Sequence, residues 1–139
     1  MIVLDTNILS EITRRNPEPR VISWFAQQRE SDVYLCDVVL LEQSYGAERY
    51  WLRTRSARYH QLFELVLGAY DGRILAADQA VFIQTGKLRA QLESVGRPIS
   101  VQDAMIAAIC LSHGATLATR NVKDFEGLDL RLVNPFEGA

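Results

Sequence analysis

The feature that most constrains the fold of this chain is the alternation of short apolar runs with longer helical stretches. The runs of strand length are 2–5 (IVLD), 33–38 (VYLCDV), 73–77 (RILAA), 115–119 (ATLAT) and 130–134 (LRLVN). Strands that are separated by helical crossovers pair in parallel and are covered on both faces. The sequence therefore predicts a three-layer α/β/α, Rossmann-like fold with a central parallel sheet of about five strands.

Turn and capping residues mark where the helical stretches between these strands begin and end. The predicted helices run from the first strand to Asn16-Pro17, from Pro19 to Gln28, through 39–70 in two segments before Asp71-Gly72, from Gln79 to Val95, and over 101–113 between Ser100 and Gly114. No repeat, low-complexity segment or Gly/Ser-rich linker interrupts the 139 residues. We therefore expect a single domain over 1–139.

Composition and the first residues exclude several other classes of protein. No apolar run approaches the roughly 20 residues that span a bilayer, and MIVLDTNILS lacks the basic stretch of a signal peptide. We expect a cytoplasmic protein without a membrane partner. Cys36 and Cys110 lie in apolar segments, which predicts two reduced, buried thiols. Without a CxxC pair, and with two histidines in the chain, a structural zinc site is not expected.

The net charge of −2 argues against a surface coated in positive charge, but it does not exclude a local basic patch. Arg49, Arg53, Arg55 and Arg58 crowd one stretch, and Arg49 and Arg53 share a helical face. Both a solvated helix surface and a rim that contacts phosphates remain open for these arginines. Arg49, Arg53 and, after the fourth strand, Arg120 are the residues that we predict to contact the phosphates if the protein binds a nucleic acid.

Acidic residues follow the predicted strands, beyond whose carboxyl ends functional groups gather in open α/β sheets. Asp5 ends the first strand; it could cap the next helix, although Thr6 and Asn7 could do so equally well. Asp103 is the single charged residue of VQDAMIAAICL, on a helix that is apolar around most of its circumference. The competing reading makes Asp103 the capping-box partner of Ser100. We predict functional roles for Asp5 and Asp103.

Two further carboxylates are predicted to reach the same edge of the sheet. Glu42 follows VVLL in the opening turns of a helix. Asp37 could take its place in the cluster or could simply cap that helix. We prefer Glu42, because its longer side chain can reach back over the strand ends. Asp124 lies in the loop after the fourth strand, where Asp is also a common turn residue. Carboxylates about 4 Å apart repel by roughly 4 kcal/mol at an effective dielectric near 20, so such a cluster needs bound protons or a cation. Mg²⁺ and Mn²⁺ match oxygen-only ligands and can activate water towards a phosphate.

Four sequence blocks resemble a known family. LDTNILSE, LLEQSYGAER, GRPISVQDAMIAAI and ATLATRNVKDF are similar, in this order, to segments of the PIN-domain ribonucleases, in particular the VapC/FitB-like toxins of bacterial toxin–antitoxin pairs. The resemblance extends from Met1 to about Pro135. Two positions depart from the pattern: Val39 stands where a hydroxyl residue is common, and Ser44 stands where a basic residue often follows the glutamate.

The resemblance implies an Mg²⁺- or Mn²⁺-dependent endoribonuclease, usually a homodimer, with a cognate antitoxin that blocks the site and also binds operator DNA. It assigns the acidic metal-site positions to Asp5, Glu42, Asp103 and Asp124. It assigns the accompanying polar positions, which hold carboxylates or bound waters, to Asn7, Thr119 and Asn121.

Two other classes of function remain as alternatives. An aspartyl-nucleophile phosphatase also begins with Asp after its first strand, but it needs a second Asp where this chain has Asn7, and no lysine-bearing partner motif is evident. A degenerate PIN domain or receiver-like binding module without catalysis would share the fold. Metal-dependent cleavage of RNA by the purified chain would distinguish the nuclease from both of these alternatives.

Overall fold

The computed structural model describes residues 1–137, in which five short strands alternate with six helices. The strands are β1 (Ile2–Leu4), β2 (Val33–Cys36), β3 (Ile74–Leu75), β4 (Thr116–Ala118) and β5 (Arg131–Val133). The helices are α1 (Thr6–Ile12), α2 (Pro19–Ala26), α3 (Asp37–Thr54), α4 (Arg58–Ala69), α5 (Gln79–Ser94) and α6 (Val101–His113). Short 3-10 turns cover Glu30–Asp32, Val122–Phe125 and Pro135–Glu137.

All five strands pair in parallel in the order β3-β2-β1-β4-β5. The central strand β1 sets Val3 opposite Tyr34 on one side and opposite Leu117 on the other. The six helices flank this sheet, which confirms the predicted three-layer α/β/α architecture. Because the strands are parallel, their carboxyl ends all lie along one edge.

Capping residues explain most of the helix boundaries. The Ser100 hydroxyl accepts the Asp103 N–H at 3.1 Å at the start of α6, and Gly114 ends that helix with a φ of 59°. The left-handed backbone at Gly114 is readily adopted by glycine, which has no Cβ to clash. Helix α5 begins in the same way, with the Asp78 carboxylate accepting the Val81 N–H at 2.9 Å.

Most strands are one to three residues shorter than predicted, and two helix boundaries differ for a reason that the structure shows. Strand β2 ends at Cys36, and α3 begins at Asp37 rather than near residue 39. The Asp37 carboxylate accepts the Ala77 N–H at 2.8 Å, which fixes the chain at this junction. Helix α1 ends at Ile12, short of Asn16, because the backbone leaves the helix at Thr13, whose hydroxyl donates to the Leu9 carbonyl.

The core lies on both faces of the sheet and is almost entirely apolar. Its largest fully buried side chains include Leu4, Ile8, Leu35, Ile106, Ile109, Leu117 and Phe125. Cys36 and Cys110 are free and buried, as the sequence predicts. Within residues 1–137, no helix has the length and apolar character needed to cross a membrane. The predicted domain extends to residue 139, and residues 138–139 lie outside the part of the chain that is described.

Candidate active site

Asp5 lies at the carboxyl end of β1 and is 5% exposed. Its Oδ1 accepts the Thr6 N–H at 2.8 Å, so Asp5 itself caps α1, rather than Thr6 or Asn7. Its Oδ2 accepts the Thr119 hydroxyl at 2.8 Å and, more weakly, the Asn7 amide at 3.4 Å. Burial raises the pKa of Asp5 in spite of these donors. Asp5 is therefore a rigidly held carboxylate in a poorly solvated position.

A polar bridge joins the ends of β1 and β4 behind Asp5. The Asn7 carbonyl oxygen accepts the Arg120 N–H at 3.0 Å, while its amide reaches the Thr119 hydroxyl at 3.4 Å. The fully buried Thr119 oxygen also accepts the Asn121 N–H at 3.0 Å. Asn121 contributes its backbone here; its side chain makes no hydrogen bond to residues 1–137. Asn7 and Thr119 thus hold Asp5 through their side chains.

Glu42 is half-buried in the second turn of α3 and faces Asp5. The Thr6 hydroxyl donates to Glu42 Oε1 at 2.8 Å. Burial raises the pKa of Glu42, and the negative charge of Asp5 raises it further. Asp37, the alternative in the sequence, binds the Ala77 backbone instead. The sequence pattern did not lead us to predict a role for Thr6 in the site, although its position between Asp5 and Asn7 indicates one.

Asp103 has the most strongly perturbed carboxylate of the four. Its pKa is raised from 3.8 to about 6, chiefly by burial and additionally by the charges of Asp5, Asp124 and Glu42; the Ser100 hydroxyl opposes this rise. Ser100 does cap α6, because it accepts the Asp103 N–H. In residues 1–137, no reciprocal hydrogen bond runs from the Ser100 N–H to the Asp103 carboxylate. Asp103 therefore faces the other acids rather than closing a capping box.

Asp124 is exposed on the 3-10 turn Val122–Phe125 that follows β4. Phe125, which is 1% exposed, anchors this turn in the core. The charge of Asp124 raises the pKa of both Asp5 and Asp103, so its carboxylate lies near theirs. All four predicted acids are thus brought to the same edge of the sheet.

The four carboxylates share an environment that suits a hard cation. Within the described chain, none of them forms a salt bridge with Lys, Arg or His. In the same part of the chain, no three His, Cys, Asp or Glu side chains are arranged to hold one metal ion together. Asp5, Glu42, Asp103 and Asp124 are the residues that could hold such an ion at this edge, because their carboxylate oxygens are ligands of the kind that Mg²⁺ prefers.

The remaining predicted positions lie around this cluster. Arg49 and Arg53 line a cavity beside Glu42, whereas the Arg120 guanidinium stacks 4.3 Å from the Phe136 ring centroid. Of the two departures from the family pattern, Val39 is fully buried in the core. Ser44 is exposed, and its hydroxyl donates to the Leu41 carbonyl at 3.1 Å.

Comparison with known proteins agrees with this arrangement. The family model of the PIN domain matches residues 2–129. The chain is 34% identical to the VapC ribonuclease Y4jK of Sinorhizobium fredii over 100% of both chains. It is 31% identical to the toxin FitB of Neisseria gonorrhoeae, over 98% of this chain and 99% of that protein. The solved structure of FitAB bound to an IR36 DNA fragment superimposes with a TM-score of 0.87 at 32% identity, covering 98% of this chain and 96% of that one. From the fold, the carboxylate edge and these relatives together, we conclude that the chain belongs to the PIN-domain family, among its VapC- and FitB-like members.

Proposed function

We propose that this protein is an Mg²⁺- or Mn²⁺-dependent endoribonuclease that hydrolyses phosphodiester bonds with an activated water. The observation that carries the proposal is the convergence of four carboxylates, from four separate segments, none of which forms a salt bridge with a cationic side chain of residues 1–137. Oxygen-only ligands suit these two metals. The ribonuclease activity in the name of the Sinorhizobium fredii relative supports the same reaction class.

In this proposal Asp5 and Asp103 would hold the metal directly, and Glu42 and Asp124 would do so directly or through water. When bound, the ion supplies a water of lowered pKa and positive charge for the phosphate. Thr119 and the Thr6 N–H hold Asp5 in a single orientation, and Oδ1, which accepts one hydrogen bond, retains a lone pair for a further contact. Metal binding would offset the repulsion that raises the pKa of Asp103.

Arginines beside the carboxylates would hold the RNA. Arg49 and Arg53 line the cavity next to Glu42 and would bind phosphates on that side. Arg120 directly follows Thr119 at the same sheet edge, so we propose that it contacts RNA on the opposite side. Guanidinium groups favour phosphate because they donate two parallel hydrogen bonds.

We further propose that the protein is the toxin of a toxin–antitoxin pair, acts in the cytoplasm and forms a homodimer. Its cognate antitoxin would block the active site and carry a DNA-binding domain. The name of the related toxin FitB and the structure of FitAB bound to DNA support this assignment. Expression of the chain alone should then arrest bacterial growth, and co-expression of the small protein encoded next to it should restore growth. Harmless expression, with no binding neighbour, would favour a degenerate binding module.

The enzymatic proposal is tested by incubating the purified chain with RNA in Mg²⁺, in Mn²⁺ and in EDTA. We expect cleavage in either metal and none in EDTA. Glu42→Gln should lower the cleavage rate on the order of 100-fold, because a charged ligand is lost. The matched control is Glu64→Gln, on the exposed surface of α4, which should cleave at the parental rate. Cleavage that persists in EDTA would contradict the proposed metal dependence.

A further inference from the structure

A continuous groove leads away from the carboxylate cluster between α1, α3 and α4. A cavity of about 430 Å³ opens beside Glu42. A second cavity of about 690 Å³ continues from it, because Ser10, Gln43, Tyr50 and Tyr59 line both. We call the two together the α1–α3–α4 groove. Any polymer that lies in this groove reaches the proposed site of cleavage at the end of the groove where Glu42 lies.

The α1–α3–α4 groove is strongly basic although the whole chain has a net charge of −2. The arginines that line it are Arg14, Arg15, Arg49, Arg53 and Arg58, and Glu42 is the one acidic lining residue of the described chain. In residues 1–137, Arg14 alone among these arginines is paired with a carboxylate, that of Glu11 at 3.1 Å. The other guanidinium groups are free to bind an anion such as a phosphate.

Aromatic rings lie between these arginines. Tyr50 and Tyr59 pack edge to face, with centroids 4.8 Å apart and an interplanar angle of 89°. The Arg53 guanidinium lies 5.4 Å from the Tyr50 centroid, and that of Arg58 lies 5.7 Å from the Tyr59 centroid. Tyr59 remains 44% exposed. Basic grooves with exposed aromatic rings are typical of proteins that bind single-stranded nucleic acid.

Gly46 keeps the groove open next to Glu42. It lies inside α3, one helical turn from Glu42, and it lines the first cavity. Glycine is a poor helix former, and this position has no positive φ that would call for it. A Cβ added to Gly46 would meet no atom within 4 Å. Packing of the fold therefore does not require glycine at this position. The lack of a side chain instead keeps the space above α3 open.

We propose that the α1–α3–α4 groove binds the RNA strand on one side of the scissile phosphate. Arg49 and Arg53 bind phosphates, Tyr59 stacks against a base, and Gly46 leaves room for the strand beside Glu42. This inference rests on the proposed ribonuclease function. RNA is favoured over a protein segment because the groove begins at the carboxylates, so the nucleotides that flank a phosphate held there must leave along it.

The first test places a side chain at Gly46. Gly46→Gln should raise the KM for a single-stranded RNA oligonucleotide about fivefold or more in Mg²⁺, with a much smaller change in kcat, because it fills space needed for binding. Gly86→Gln is the matched control: Gly86 is also inside a helix, exposed, and without neighbours within 4 Å of an added Cβ. Both variants should melt at or above the parental temperature, and the control should keep the parental KM.

The second test separates stacking from charge. Tyr59→Ser should weaken binding of the oligonucleotide about 5- to 100-fold, and Tyr59→Phe should retain it, because the ring supplies the stacking. Replacing Arg49 and Arg53 together by Gln should lower the slope of log affinity against log salt by about 1.4, since each phosphate contact in a single strand contributes roughly 0.7. Arg29→Gln, an exposed arginine near the amino end of β2, should leave the slope nearly unchanged.

The outcomes distinguish this inference from the proposed function. If the parent cleaves RNA, but Gly46→Gln keeps the parental KM and the Arg49 and Arg53 double variant keeps the parental salt dependence, the groove assignment is wrong while the ribonuclease stands. If Gly46→Gln keeps the parental KM but loses binding of the protein encoded by the neighbouring gene, the groove holds a protein segment, which also overturns the inference. If the parent cleaves no RNA in either metal, the function and the inference fail together.

Discussion

Replacing Asp103 by asparagine removes one crowded carboxylate while nearly preserving its shape. The pKa of Asp103 is raised from 3.8 to about 6 by burial and by three neighbouring acids. Because the folded-state pKa lies above the unfolded value, the stability contributed by the protonated group is present below pH 3.8 and is lost as pH rises through 6. The full shift corresponds to roughly 3 kcal/mol. Since Asp103 is partly exposed and screened by solvent, we expect about 1 to 2 kcal/mol.

Urea denaturation in EDTA measures this effect. At pH 7.5 the free energy of unfolding of Asp103→Asn should exceed that of the parent by about 1 to 2 kcal/mol. This difference should shrink as the pH is lowered through 6 towards 4. RNA cleavage in Mg²⁺ should fall by orders of magnitude, because Asn is an uncharged, weaker ligand. Asp71→Asn, in an exposed turn, is the control and should change neither property. If Asp103→Asn cuts RNA at the parental rate and its free energy of unfolding falls by up to about 1 kcal/mol, then Asp103 only stabilises the start of α6.

Three further predictions concern the surroundings of the site and the core. Thr119→Val should lower the free energy of unfolding by about 1 to 3 kcal/mol in urea titrations, since the buried hydroxyl that donates to Asp5 is lost. Gly114→Ala should lower it by about 1 kcal/mol in the same assay, because its φ of 59° is unfavourable for a residue with a Cβ. Burial raises the pKa of Cys36 to about 12 and also raises that of Cys110. Both thiols should therefore react with a thiol reagent at pH 8 only slowly until the protein is denatured, and fast labelling of the native chain would contradict their placement.

The fold could be predicted where local chemistry marks the boundaries of an element. Helix α6 was predicted over 101–113 and is found as Val101–His113, since Ser100 and Gly114 are strong signals at its two ends. The end of α3 carries no such signal. The helix ends at Thr54, and Arg55, which caps it, adopts a left-handed φ of 59° although it is not glycine; its guanidinium lies 5.6 Å from the ring centroid of Trp51, four residues earlier. Because arginine seldom adopts a left-handed φ, residue preferences do not predict the end of this helix.

The identity of the acids at the site could be predicted because parallel strands bring their carboxyl ends together. Their support could not be predicted in detail, because it depends on contacts between distant segments. The Thr6 hydroxyl reaches Glu42 across 36 positions of sequence, and Thr119 reaches Asp5 across 114. The resemblance assigns a supporting position to Asn121, and in the structure its backbone N–H donates to the Thr119 hydroxyl. Only the folded backbone determines which of these polar groups faces the carboxylates.

Calorimetric titration of the metal-free protein with Mn²⁺ tests the central claim, that the four carboxylates form a divalent-metal site. The account predicts saturable binding at or below millimolar concentration, accompanied by a rise in melting temperature. Asp103→Asn should bind Mn²⁺ much more weakly, and the surface control Asp71→Asn should bind it like the parent. Absence of Mn²⁺ binding to the parent at millimolar concentration, or equal binding by Asp103→Asn, would contradict the metal site and the nuclease mechanism built on it.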